Sequence, residues 1–376
     1  MTETQQQRTL FSFPAIPPGP PSRRNWYQEL LDDPECQNDP KKVQEAYESH
    51  RHAILSRSIG EFRSLARSIS EDIPTLITPD VALIQHVSRQ MAGSKAHEPF
   101  PLSPANCLVF WARPPHFILE LMESIQSGLS SLAGRDLYLV PLPHMHLSVM
   151  ELSHRHPIAH LRAVYNVVGE SLLHTMADVP FTKYKESQGR SVARLIKPQL
   201  MMDRAGVAVT FVPDYSPQEG MDNSGQDITK NNPFTYHHLR ASMQELALSS
   251  GIEIDTSYTA PSAHITIARF VSSHFFDGGE KHATSPPVPI SPPTEQSPLS
   301  PSGNQNQRRV QKAEQWVDLI HGINEELGKQ SEDPVFKEQL EWVVGQQRGL
   351  ELQLGYVKFG RETERAEMVG QAVPLA

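Results

Sequence analysis

Two four-residue strings, His146-Leu147-Ser148-Val149 and His264-Ile265-Thr266-Ile267, constrain this chain more than any other feature. Each reads His, aliphatic, hydroxyl, aliphatic, inside a segment that alternates with period two. Successive side chains of a β-strand point to opposite faces. His146 and Ser148 therefore share one face while Leu147 and Val149 turn toward a core. His264 and Thr266 stand in the same way against Ile265 and Ile267. Side by side, two such strands build a cleft with two imidazoles and two hydroxyls. That set binds a phosphate and moves protons on both sides of it.

A His followed two positions later by Ser or Thr occurs at four places: His86, His146, His264 and His282. His86 lies in a helical pattern and His282 in a Pro/Ser-rich stretch. The two flanked by aliphatic residues are the two in strand-like context. With these motifs the chain resembles the 2H phosphoesterase superfamily, the group that holds cyclic nucleotide phosphodiesterases and the LigT-type RNA 2′,5′ ligases. The resemblance covers about residues 106–276 and 307–361 and rests on the motifs and the order of elements. It implies an α+β, bilobal fold with two pseudo-symmetric antiparallel sheets flanked by helices and a cleft between them. It also implies a metal-independent phosphodiesterase, needing no cofactor, that acts on a 2′,3′-cyclic phosphate nucleotide or an RNA-end phosphodiester.

In that chemistry the attacking oxygen loses a proton and the leaving oxygen gains one, on opposite sides of phosphorus. Two histidines titrating near neutrality serve as base and acid in one in-line step, here His146 and His264. Ser148 and Thr266 donate to the non-bridging oxygens, where charge builds in the transition state. Candidate further substrate contacts are Arg269, Tyr356 and Lys358. Arg269 stands at odd spacing from His264, which in a regular strand puts it on the other face. Tyr356 and Lys358 share a face of the last strand. Tyr138 and Phe270 are candidates for stacking a base, with core packing as the competing role.

A competing enzyme reading starts from the histidine-rich run around the first motif. His144, His146 and Glu151 give His-x-His-x4-Glu, which partly matches the metal-binding strand of cupins. The glycines that frame the cupin motif are missing, and strong helices separate the strands. A non-catalytic nucleotide-binding module of the 2H type is the other alternative, although both histidines and both hydroxyls are present. No P-loop, dinucleotide-binding fingerprint or nucleotidyl-transfer lysine motif occurs.

The net charge of −9 favours a small nucleotide or an RNA end over long nucleic acid, which calls for a broad basic surface. Two cysteines, Cys36 and Cys107, make neither a disulfide framework nor a CxxC metal site. No basic-then-apolar leader opens the chain, and no apolar run is long enough to span a bilayer. These features lead to the expectation of a cytoplasmic or nuclear monomer with no membrane partner.

The 32 prolines are concentrated in segments that read as irregular. Residues 1–24 read as a disordered tail, 277–306 as a disordered insertion and 362–376 as a fraying tail. Residues 25–92 read as a helical extension of unknown role, with Asp39-Pro40 starting its main helix. Residues 106–361 read as the 2H-like domain. Within it, strands are expected at 107–111, 137–140, 145–152, 191–202, 207–212, 262–270 and 350–359. Helices are expected over 117–132, 157–176, 232–248 and 308–327, with 213–232 as a rim or lid loop.

Overall fold

Leu108, Phe110 and Ala112 alternate with Cys107, Val109 and Trp111, and in the computed structural model this stretch is β1 (Asn106–Ala112), buried on both faces. The structure describes residues 10–16, 19–68, 75–85, 106–218, 230–231, 234–254, 260–276, 303–356 and 366–374. The other strands are β2 (Leu137–Leu139), β3 (Leu147–His154), β4 (Arg194–Met202), β5 (Gly206–Pro213), β6 (Pro217–Gln218), β7 (Lys230–Asn231), β8 (Ala263–Phe270), β9 (Trp342–Val343), β10 (Glu351–Tyr356) and β11 (Met368–Val369). Helices are α1 (Trp26–Leu31), α2 (Pro40–Ala66), α3 (His116–Ala133), α4 (Ile158–Val168), α5 (Glu170–Ala177), α6 (Val179–Glu186), α7 (Tyr236–Ser249), α8 (Gly303–Glu332) and α9 (Pro334–Lys337). The class is α+β, as expected.

Nine strands form one antiparallel sheet in the order β11-β10-β1-β3-β8-β5-β4-β9, with β2 also paired to β8. Two separate sheets were expected; instead the motif strands β3 and β8 are neighbours and join the halves through the pair Leu147–Ile265. The edge of β8 is shared end to end, because β2 takes over at Ala268, Arg269 and Phe270. The buried amide of Gln126 on α3 fastens this handover, donating to both Val140 O and Ile267 O at 2.8 Å.

Local sequence accounts for the helix boundaries. Asp39 accepts from the Lys41 amide at 2.9 Å and Pro40 opens α2, as expected. The helix expected over 157–176 is broken in two at Gly169, whose φ of 81° is costly for any other residue. The helix expected from Asn232-Pro233 starts at Tyr236 after Thr235, and residues 232 and 233 lie outside the described set. Its first turn is closed by His238, whose Nδ1 accepts from the Thr235 amide at 3.1 Å.

Both expected tails are partly placed. Residues 366–374 do not fray: β11 pairs with β10, and Val373 is buried against Val192 and Val343. Near the other terminus, Phe13 packs on the His237 ring at 4.9 Å and Ser22 bridges to Ile254. Apolar side chains in those short stretches find cover on the core, which outweighs their irregular composition. The expected insertion at 277–306 lies outside the described residues as far as 302, and 303–306 already belong to α8. Of the expected lid, 217–218 and 230–231 form a two-strand ladder and 219–229 are outside the described residues.

The helical extension is part of the same core. Tyr47, Leu55, Ile59 and Phe62 of α2 are buried in the cluster that holds Val209, Phe211, Tyr236 and Trp316. Arg63 of α2 pairs with Glu314 of α8 at 2.8 Å, a partly exposed contact worth little beside the apolar burial.

Candidate functional site

Leu147 and Ile265 are cross-strand partners and both are fully buried, so their faces coincide. Carrying this antiparallel register one residue each way sets His146 opposite Thr266 and Ser148 opposite His264. Both imidazoles and both hydroxyls thus come to one face of adjacent strands, with the histidines on a diagonal. All four residues are half-buried. The period-two reading required this arrangement, and the pairing of the two strands completes it.

Arg269 departs from the expectation. β5 pairs Thr210 with His264, Ala208 with Thr266 and Gly206 with Arg269. Thr210, Ala208 and Gly206 alternate on one face of β5, so their three partners also share one face. The register shift between Val207 and Ala208 makes Ile267 an extra residue, a β-bulge that reverses the phase of the strand beyond it. Arg269 therefore lies on the His264 side, and it lines one cavity with His264 and Thr266.

Tyr356 is corrected in the other direction. It pairs with Asn106, at the end of β1 far from Trp111, roughly 17 Å along the strand at the usual rise. Lys358 lies outside the described residues. Glu351 and Gln353 of β10 come close to the motif instead, in register with Trp111 and Val109. Of the two candidate stacking residues, Phe270 is core, packed on Phe276 and Trp316. Tyr138 is the register partner of Arg269 and so keeps to the cleft side of the sheet.

The His146 ring is held from two sides. Its Nδ1 lies 2.8 Å from the His144 carbonyl. A carbonyl only accepts, so Nδ1 carries the proton and Nε2 is the nitrogen that takes up another. The Trp111 indole stacks on the same ring, with centroids 3.7 Å apart and planes 15° apart. Arg113 sits over Trp111, its guanidinium 5.0 Å from the ring centre. It donates to Glu351 Oε2 at 2.9 Å and to the carbonyls of Pro143 and Met145 at 3.0 and 3.2 Å. Glu351, fully buried, also pairs with Arg348 and accepts from Gln353 at 3.1 Å. Arg113 therefore clamps the turn that delivers His146.

A second clamp acts from α7. The buried Arg240 donates to Val149 O at 3.1 Å and to Ala260 O at 3.0 Å, and Tyr236 donates to Ser148 O at 3.2 Å. Arg240 also faces the Tyr27 ring at 4.1 Å. One helix thus ties together the start of β3 and the approach to β8. Sequence reasoning missed this clamp and the Trp111–Arg113 pair. The available signals were a charged residue in the apolar phase of a helix at Arg240, and the i, i+2 aromatic–cation pair closing β1.

Both imidazoles are pushed below their ordinary value, where titration near neutrality was expected. Burial pushes His146 down to about 3, with the charges of Arg113 and His264 adding and the bond to the His144 carbonyl opposing. Burial pushes His264 down to about 4, with Arg269 and Arg240 adding and Asp203 opposing. His264 Nδ1 lies 3.1 Å from Ser262 Oγ. A cleft rich in guanidinium groups disfavours imidazolium until an anion enters.

The cupin-like reading fails on geometry. His144 ends a 3-10 turn, Leu142–His144, with its ring buried and is not on a strand beside His146. Glu151 is in register with Val109 and lies 3.7 Å from His154. Among the described residues no group of three His, Cys, Asp or Glu side chains is placed to hold a metal. Among the same residues, no helix is long and apolar enough to cross a membrane. Compared with known proteins, the chain matches no family model and no curated protein.

Proposed function

We propose that this protein is a metal-independent phosphodiesterase of the bilobal 2H type, acting on a 2′,3′-cyclic phosphate nucleotide or an RNA-end phosphodiester. The observation that carries the reading is the Leu147–Ile265 pairing, which puts His146, Ser148, His264 and Thr266 on one face. The halves β11-β10-β1-β3 and β8-β5-β4-β9, joined at that pair, stand for the two lobes.

In the hydrolytic step a water oxygen bonds to phosphorus as one imidazole takes its proton. The bond from phosphorus to the leaving oxygen breaks, and that oxygen takes a proton from the other imidazole. Ser148 and Thr266 hydroxyls hold the non-bridging oxygens. His146 Nε2 is poised as acceptor by its Nδ1 contact. The acid is made on binding, because the substrate's negative charge stabilises an imidazolium beside it.

The test is a panel of four substrates: a 2′,3′-cyclic nucleotide, ADP-ribose 1″,2″-cyclic phosphate, an oligonucleotide 3′ end and a 2′,5′-linked oligoadenylate. Wild type is expected to turn over at least one of them in EDTA, and the double variant His146→Ala/His264→Ala none. Turnover of none by the wild type, or equal turnover by a folded double variant, overturns the reading.

A further inference from the structure

A cavity of about 220 Å³ lies beside His264 and Thr266, and its other wall is the N-terminal extension. Tyr47, His50, Arg51 and Ile54 of α2 face Thr210, Ala208 and Gly206 of β5 and Arg269 of β8 across it. Pockets that engulf a whole small ligand run to about 300–1,000 Å³, so this one accepts one end of a ligand whose remainder lies elsewhere.

Two guanidinium groups line the space from opposite elements. Arg51 is only 9% exposed; its Nη1 donates to Lys197 O at 2.6 Å, while its Nε–H is buried without an acceptor. The Nε–H of Arg269 is also buried and without an acceptor. A buried donor left unpaired costs about 1–3 kcal/mol, more when charged, and both arginines that carry one line this cavity from opposite walls. Of the carboxylates close by, Asp203 lines the same cavity, its Oδ1 accepting from the amides of Ala205 and Gly206 at 2.7 and 2.8 Å, and Glu48 pairs with Lys197 at 3.0 Å. Burial lowers Arg51 to about 10, an under-compensated cation.

We propose that this cavity is an anion subsite in which Arg51 and Arg269 hold a second phosphate of the substrate, next to the phosphate placed between His146 and His264. The identification of the second phosphate rests on the phosphodiesterase reading above; the anion site itself does not. It gives the N-terminal extension a role in recognition: α2 supplies a second cation to set beside Arg269 of motif strand β8. Planar forks from two sides suit a phosphate better than a point charge would.

The experiment compares adenosine 2′,3′-cyclic phosphate with and without a 5′-phosphate, in wild type, Arg51→Met and Arg269→Gln. Binding of inorganic pyrophosphate is measured by calorimetry on the same proteins. In wild type the 5′-phosphate is expected to lower KM about tenfold or more, the range of a charge-assisted hydrogen bond. In either variant the KM ratio of the two substrates should fall toward one, and pyrophosphate binding should weaken by a similar factor. Circular dichroism confirms that each variant is folded, and the two arginines, on separate elements, check one another. A wild-type KM ratio near one, a ratio unchanged in both variants, or a KM governed by the base alone overturns the proposal. Absence of turnover with pyrophosphate binding that needs Arg51 sinks the phosphodiesterase reading and keeps the anion site; absence of both sinks both.

Discussion

The Trp111 indole lies flat on the His146 imidazole, 3.7 Å between centroids, and so fixes the plane in which that ring meets a ligand. Strand register alone puts His146 on the cleft side; Trp111, itself only 1% exposed, decides how the ring is turned.

Replacing that indole should separate orientation from binding. Trp111→Leu is expected to lower kcat about 100-fold, the cost of misplacing a catalytic group by about an ångström, with KM little changed. Steady-state kinetics on the substrate selected by the panel decide it, and a loss confined to KM contradicts the orienting role.

Proton transfer and charge stabilisation should differ in size. His146→Ala and His264→Ala are each expected to cost about 100- to 10,000-fold in kcat. Thr266→Val removes one donor of several and should cost about tenfold. Equal losses for Thr266→Val and His264→Ala would contradict the assigned roles.

The pH profiles of kcat and kcat/KM should diverge. kcat/KM follows the empty protein, where burial holds His146 at about 3 and His264 at about 4. The imidazolium acid is lost as pH rises through those values. kcat/KM should therefore fall between pH 4 and 7, by about tenfold per pH unit at the steepest. kcat follows the complex, where the bound anion raises the histidines, and should peak at higher pH. A kcat/KM maximum near neutrality would show that the empty cleft does not hold both rings neutral.

Gly206 is where the bulge leaves no room. A Cβ there would sit 2.4 Å from Ala268 O and 2.9 Å from the Arg269 side chain. Gly206→Ala should destabilise the fold by about 1–3 kcal/mol, as overpacking does, and raise KM as Arg269 is displaced. Urea unfolding and kinetics on one preparation measure both; a variant with unchanged stability and KM would remove the bulge from the account.

The buried pair behind the first motif should be costly to break and cheaper to remove. Glu351→Met leaves Arg113 without its carboxylate, at an expected cost of about 3–5 kcal/mol, and Arg113→Met costs less because Glu351 keeps Arg348. The double variant should recover part of it in urea unfolding. Additive losses would contradict the coupling given by their 2.9 Å contact.

Much of the architecture is set by short-range pattern. The alternation in 146–149 and 264–267 and the 3.6 periodicity over 117–132 determined β3, β8 and α3, because period and burial are coupled along the chain. The same alternation determined that each His shares a face with its hydroxyl. What the tertiary structure alone decided is everything that depends on which strand lies next to which. That β3 meets β8 at Leu147–Ile265 is a contact between residues far apart in sequence. So is the bulge at Ile267, which reverses the phase of Arg269 and cannot be seen in a string read with strict period two. Tyr356 ends far from the motif for a related reason, since antiparallel pairing with β1 sets the near end of β10 at Glu351. The downward shift of both histidines arises from burial among guanidinium groups on separate elements, a sum over space that no local window contains.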